Sequence, residues 1–177
     1  MRIIGLVSGG KDSTYSMCLC ANDGHELVGL ANLVPQSAHE EDSYMYQTVG
    51  HEFIDLYTEA MGLPLFRRTI SGKPLSTDMA YEERTDDEVE DLFQLLSQIK
   101  EKVAFDGISV GAIHSTYQKV RVENVCQRLH IQMLAPIWAK EQTSLLKNDF
   151  EVITHSDDAI AKVSYLKPIK LHLEDKN

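Results

Sequence analysis

From Ile3 to Ile137 short apolar runs alternate with helical patterns, and that alternation leaves little room for anything but a parallel sheet flanked by helices. The runs are Ile3–Val7, Leu27–Leu33, Leu63–Ile70, Ile108–Ile113 and Ile131–Ile137. They are largely continuous, as strands buried on both faces are. The spacing predicts a helix over Asp12–Asn22, stopped by Gly24. A second is expected over Thr48–Met61, where Val49, Phe53, Leu56 and Ala60 share a face. Thr85-Asp86-Asp87-Glu88 reads as a capping box opening a third helix, with Val89, Leu92, Leu96, Ile99 and Val103 on its inner side. Ser115 and Gln118 read as a second box, before Val122, Val125, Cys126 and Leu129. The acidic cluster from Asp86 to Asp91 fits the positive end of a helix dipole better than a metal site. Residues 71–83 are a polar loop on the scale of a lid, and Glu141–Lys147 a short helical piece.

The rhythm breaks after Lys147. Val152–Thr154 looks like a strand, and Ile169, Leu171 and Leu173 alternate with Lys170, His172 and Glu174. Val163 and Tyr165 continue the apolar side, Pro168 limits the segment to an edge, and no helical pattern intervenes. The expected fold class is therefore α/β: an open parallel sheet with helices on both faces over residues 1–148, then a residual C-terminal β segment over 149–177. Tail strands without sheet partners would leave unpaired edges, an aggregation hazard.

Composition narrows the function. A net charge of −10 argues against a passive binder of nucleic acid or anionic membranes. No apolar run approaches the roughly 20 residues that span a bilayer, and the apolar start is too short for a signal peptide, so a soluble cytoplasmic protein is expected. Cys18, Cys20 and Cys126 are odd in number and lack zinc-ligand spacing; they read as reduced, buried filler.

The chemistry concentrates in Ser8-Gly9-Gly10-Lys11-Asp12-Ser13, between the first strand and the first helix, where anions bind. Gly9 and Gly10 allow positive φ and a close approach of backbone N–H groups to phosphate; Ser8 and Ser13 add hydroxyls and Lys11 a charge. Asp12 beside such a nest makes sense if Mg²⁺ or a phosphate-bound water lies there. The hexapeptide matches neither G-x-x-x-x-G-K-[ST] nor G-x-G-x-x-G. Weaker candidates sit at strand ends on the carboxyl edge: Asn32 after the second strand, and Tyr117, Gln118 and Arg121 after the fourth. Capping and surface pairing account for them equally well. His51 reads as a structural histidine, and His114 has no assigned role.

The hexapeptide resembles the PP-loop of the ATP pyrophosphatases, S-G-G-x-D-S. Asp42-Ser43-Tyr44-Met45-Tyr46-Gln47-Thr48-Val49-Gly50-His51, Pro64–Ile70, Asp87–Leu92, Gly107–Ile113 and Tyr117–Cys126 further resemble the eukaryotic diphthine–ammonia ligase family. The resemblance runs from Met1 to about Lys147 and resumes from about Glu151 to Lys176. It implies a Rossmann-like domain of the adenine nucleotide alpha-hydrolase type over 1–148, and a remnant of the C-terminal substrate domain over 149–177. It implies ATP and Mg²⁺ as cofactors, and ammonia and a diphthine-bearing translocation elongation factor as partners, with Ser8–Ser13 on the ATP phosphates. Lys11 and Asp12 are the implied catalytic pair, with no protein-bound metal. The implied reaction is amidation of diphthine through an acyl-adenylate, releasing AMP and pyrophosphate. Between the two blocks, family members carry a long stretch with a G-E-G-G-E-[FY] motif. This sequence has none, and Lys147–Phe150 is the join. An ATP-binding variant without turnover, and another PP-loop enzyme such as a tRNA thiolase, are the alternatives.

Overall fold

The structure, a computed structural model, describes residues 1–36, 43, 45–46, 54–76, 78, 81–140, 150–157 and 162–168. It divides into two compact units, Met1–Trp138 and Ala139–Asn177. In the first, the elements run β1 (Arg2–Leu6), α1 (Lys11–Asn22), β2 (Glu26–Val34), α2 (Leu56–Met61), β3 (Leu65–Thr69), α3 (Glu88–Lys102), β4 (Gly107–Ser109), α4 (Thr116–Leu129) and β5 (Gln132–Leu134). The strands form one sheet in the order β3-β2-β1-β4-β5, every neighbouring pair parallel.

Two apolar clusters lie on the sheet's opposite faces. Ile4, Ala31, Leu33 and Ile108 pack against Leu92, Leu96 and Ile99 of α3 and Val122 and Val125 of α4. Val7 and Leu30 pack against Met17 of α1 and Ile54 before α2. Because successive strand residues face opposite ways, continuous apolar runs are what such a two-sided sheet needs. The α/β class with helices on both faces is thus the observed one.

Several local expectations are corrected. Helix α3 has no Thr85 capping box. Its N-cap is Asp87, whose carboxylate accepts from the Val89 amide at 3.0 Å. Glu88 turns inward instead of reaching back. Nor does the dipole alone explain the acidic cluster, because Asp87, Glu88 and Asp91 are all buried. Asp91 accepts from the Ser71 amide and hydroxyl, both at 2.7 Å, from the Gly72 amide at 2.8 Å and from Arg68 Nε at 3.3 Å. Asp91, with Asp87 accepting from the Leu75 amide at 3.3 Å, ties the chain between β3 and α3 to the start of α3. Ser115 does cap α4, accepting from the Gln118 amide at 3.3 Å, but the Gln118 side chain donates to Met45 O. Cys18 is exposed rather than buried; Cys20 and Cys126 are buried, and burial pushes the Cys126 thiol up to about 12. Ladder strand β4 stops at Ser109, short of Ile113, because the chain there turns to run beside the start of α1. Of the expected second helix only Leu56–Met61 is seen as helix; Thr48–Phe53, and the helical piece Glu141–Lys147, lie outside the described residues.

In the second unit β6 (Phe150–Asp157) and β7 (Lys162–Pro168) pair antiparallel, with an irregularity between Thr154 and Ser156. Among the described residues each tail strand pairs with the other. The expected strand at Ile169–Leu173 lies outside the described residues. No helix of the described residues is long and apolar enough to cross a membrane.

A bidentate pair joins α4 to α3: Arg128 Nη1 and Nη2 donate to Glu90 at 2.8 Å each, and the Tyr81 hydroxyl adds a third bond at 2.9 Å. Burial alone would raise the Glu90 carboxyl, but Arg128 and Tyr81 outweigh it and hold it below the ordinary carboxylate value. A lowered folded value means that the stabilisation is present above the unfolded pKa and is lost as pH falls through the folded one. Glu90→Gln is therefore expected to be less stable than wild type at neutral pH, with the gap closing as acid is added. Denaturant melts between neutral pH and the acid limb check this; a constant gap contradicts it.

Candidate functional site

Residues Ser8–Lys11 carry the chain from β1 into α1. Gly9 takes φ 82°, a left-handed conformation that a side chain would oppose. Gly10 does not use that freedom; it is the extended N-cap of α1 at φ −88°. No side chain caps α1. Its first-turn N–H groups thus have no intrahelical acceptor, and with the helix dipole behind them they suit an anion.

The loop braces itself. Ser13 Oγ donates to Gly10 O at 2.9 Å and accepts from the Ser8 amide at 3.3 Å, and Ser8 Oγ accepts from the Gly10 amide at 3.4 Å. Thr14 Oγ1 meets the Tyr57 hydroxyl at 2.9 Å. The Lys11 ammonium lies 3.0 Å from the Asp12 carboxylate, both half exposed, so the two charges offset one another.

This loop opens on a cavity of about 350 Å³ at the carboxyl edge of β1, β2 and β4, where the winding of the sheet reverses. Ser8, Gly10, Asp12, Ser13, Asn32 and Gln118 all line it. Gly9 and Lys11 belong to the same loop. Asn32 is buried; its Nδ2 donates to Val7 O at 2.8 Å and its Oδ1 accepts from Arg67 Nε at 3.1 Å. Arg67 is itself paired with Asp55 at 3.0 Å. Asn32 thereby fixes the carbonyl that leads into the loop.

Tyr117 and Arg121 do not line the cavity. Arg121 is fully buried, stacked 3.5 Å from the Tyr117 ring centre, and donates to Ser76 O at 2.7 Å and Asp78 O at 3.1 Å. It clamps the loop after β3, which neither capping nor surface pairing anticipates.

Other lining residues carry no local sequence signal. Met45, Tyr46, Leu92, Leu95, Ala112 and Val122 supply an apolar wall, and the exposed His114 also lines the cavity. Gly111 is legible in principle, as the glycine interrupting an otherwise apolar run. Burial and the neighbouring Glu88 push the Tyr46 hydroxyl well above its ordinary value, so it serves as a neutral donor. Burial likewise raises the Glu88 carboxyl.

Among the described residues no cluster of three or more His, Cys, Asp or Glu side chains could hold a metal. Asp12 is the single carboxylate among the described lining residues. A divalent ion that arrives with its own phosphate ligands fits that donor set; a protein-caged one does not.

Residues 1–133 match the family described as the diphthamide synthase N-terminal domain. The chain belongs to the diphthamide synthase family. It is 56% identical to the diphthine–ammonia ligase of Danio rerio over 149 residues, covering 82% of this chain and 58% of the relative. It is 54% identical to that of Homo sapiens over 171 residues, covering 94% and 63%. The chain thus spans about three-fifths of the length of these two relatives. Against the diphthine–ammonia ligase of Bos taurus it is 41% identical over 250 positions, covering 99% of this chain and 94% of the relative. An alignment of 250 positions exceeds the 177 residues of this chain, so at least 73 positions of it face a gap here. The chain is internally shortened relative to that protein.

Proposed function

We propose that this chain binds ATP with its phosphates on Ser8–Ser13 and acts in the ATP-dependent amidation of diphthine to diphthamide on the translocation elongation factor. One observation carries the nucleotide part: the uncapped start of α1, behind a loop with Gly9 left-handed, faces a cavity large enough for a small-molecule ligand. The relatives' name, diphthine–ammonia ligase, supports the rest.

The chemistry follows from the leaving group. A free carboxylate resists ammonia because oxide would have to leave. Attack of the diphthine carboxylate on the α-phosphorus of ATP forms an acyl-adenylate and expels pyrophosphate. Ammonia then attacks the acyl carbon, a proton passes to solvent, and AMP leaves. On this reading α1 and Lys11 orient the β- and γ-phosphates and offset the charge that develops on pyrophosphate. Asp12, the carboxylate of the loop, would hold the ion accompanying the phosphates. Bound Mg²⁺ would supply charge neutralisation there. Residues 1–148 form the nucleotide domain, and 149–177 the remnant of a substrate domain.

A second reading rests on the gap. With at least 73 positions and the G-E-G-G-E motif absent, the chain keeps its nucleotide half but lacks acceptor residues, and binds ATP without turnover. A tRNA thiolase would need a reactive cysteine at the sheet edge, whereas Cys20 and Cys126 are buried within helices and the exposed Cys18, within α1, is not among the residues lining the cavity.

Thermal melts test the common part. ATP·Mg²⁺ at 100 times Kd is expected to add about 2.7 kcal/mol, or about 5–10 °C at this size, and Lys11→Ala to lose most of the shift. No shift in the wild type refutes nucleotide binding. Release of AMP dependent on diphthine-bearing factor and ammonium separates the two readings: its presence supports the ligase, and its absence, with ATP bound, the silent variant.

A further inference from the structure

Ser43, Met45 and Tyr46 belong to the connection between β2 and α2, yet the groups that hold them come from α3 and α4. Glu88, at the first turn of α3, is 1% exposed. A carboxylate so buried is costly unless it is fully engaged. Its two oxygens accept from Ser43 Oγ at 2.7 Å and from the Met45 amide at 3.2 Å, and its backbone carbonyl accepts from the Tyr46 hydroxyl at 2.8 Å. Ser43 Oγ in turn accepts from the Met45 and Tyr46 amides at 3.1 and 2.9 Å. From α4, Gln118 Nε2 donates to Met45 O at 3.0 Å. A short stretch of loop is thus gripped through the Ser43 hydroxyl, the Met45 amide and carbonyl, and the Tyr46 amide and hydroxyl, and the Met45 and Tyr46 side chains form cavity wall beside Leu92, Leu95 and Val122.

A helix dipole does not ask for this arrangement, since an acid at a helix start is served equally well in solvent. Burying the acid makes sense where it fixes something else. The cavity lining falls into two sets: the hydroxyl- and amide-rich Ser8–Ser13 loop, and this apolar wall.

We propose that Glu88 is a positioning residue for the nucleoside half of the ligand: through Ser43 and Met45 it holds the Met45–Tyr46 wall against which the base and ribose pack, while the phosphates are held independently of it. The proposal rests on the nucleotide reading above.

The two can be tested apart by titration calorimetry on the full chain with ATP·Mg²⁺ and with inorganic tripolyphosphate·Mg²⁺, which carries the same phosphates and no nucleoside. Glu88→Gln keeps the shape but cannot accept with both oxygens. It is expected to weaken ATP about tenfold, as loss of one charge-assisted bond would, and tripolyphosphate by no more than about twofold, within the scatter of such measurements. Ser43→Ala, which leaves the carboxylate in place, is expected to show the same split and serves if Glu88→Gln does not fold. A residue that merely holds the fold together would lower the melting temperature and move both ligands alike. Equal loss of both ligands, or loss of neither, overturns the proposal while sparing the nucleotide reading. A wild-type chain that binds no ATP refutes that reading and the proposal with it.

Discussion

Gly111→Ala is expected to lower stability by about 2–3 kcal/mol, at the upper end of overpacking costs, and to abolish the ATP-induced rise in melting temperature. A Cβ at this position would lie 2.6 Å from the Ser13 amide nitrogen, 2.7 Å from Ser13 Cα and 2.9 Å from the Asp12 carbonyl carbon. All three are backbone atoms, so no rotamer change makes room. Either the chain leaving β4 must move, which would disturb the Val110 amide bond to Leu134 O at 2.8 Å, or the first turn of α1 must retreat. Retreat takes Ser13 with it, and Ser13 Oγ is the brace that ties Ser8 to Gly10. A methyl group of no chemical consequence would thus damage the phosphate end through geometry alone. Melts of the variant with and without ATP·Mg²⁺ decide the matter. An alanine chain that melts like wild type and still responds to ATP would show that the close approach has slack.

What the sequence makes legible follows from the range of each interaction. The strand–helix alternation and both apolar faces depend on residues near one another in the chain, so spacing alone suffices to put Val89, Leu92, Leu96 and Ile99 in the core. The Ser8–Ser13 loop is legible for the same reason, since its bonds join residues no more than five apart. Asn32 can be placed at the carboxyl edge, because strand ends are local too, but not its bond to Arg67 thirty-five residues away. The capping box fails because two local solutions compete: Thr85 with Glu88, or Asp87 alone. Tertiary contacts with Ser43 and Met45 decide between them by claiming Glu88. Arg121 shows the same limit more sharply. Its spacing suggests an exposed helix-start residue, and only the fold brings Ser76 O, Asp78 O and Tyr81 around it. Reading Cys18 as buried fails for a simpler reason: cysteine is usually buried, but position 18 lies on the outer side of α1, while Met17 and Cys20 take the inner one.

Asp91→Ala is expected to be the most damaging single change outside the phosphate loop, costing about 3–5 kcal/mol as the breaking of a buried charged network does, and lowering the melting temperature by roughly 10 °C. The carboxylate is nearly solvent-free and meets four donors from three residues. Removing it strands the Ser71 and Gly72 amides where the chain leaves β3, and leaves Arg68 without its partner at 3.3 Å. Buried donors that lose their acceptor keep their desolvation cost and gain nothing in return. Asp91→Asn should recover about half of the loss, because the amide oxygen can still accept while its NH₂ group faces donors. The consequence reaches the cavity. The same chain segment leads to the Ser76 and Asp78 carbonyls held by Arg121, and α3 carries Leu92, Leu95 and Glu88 on the turns beside Asp91. Loosening the segment should therefore weaken ATP binding as well as lower the melt, unlike Glu90→Gln, whose partner Arg128 lies among no lining residues. If Asp91→Ala and Glu90→Gln proved equally mild in both readouts, the start of α3 would be a surface feature and not the anchor its hydrogen bonds describe.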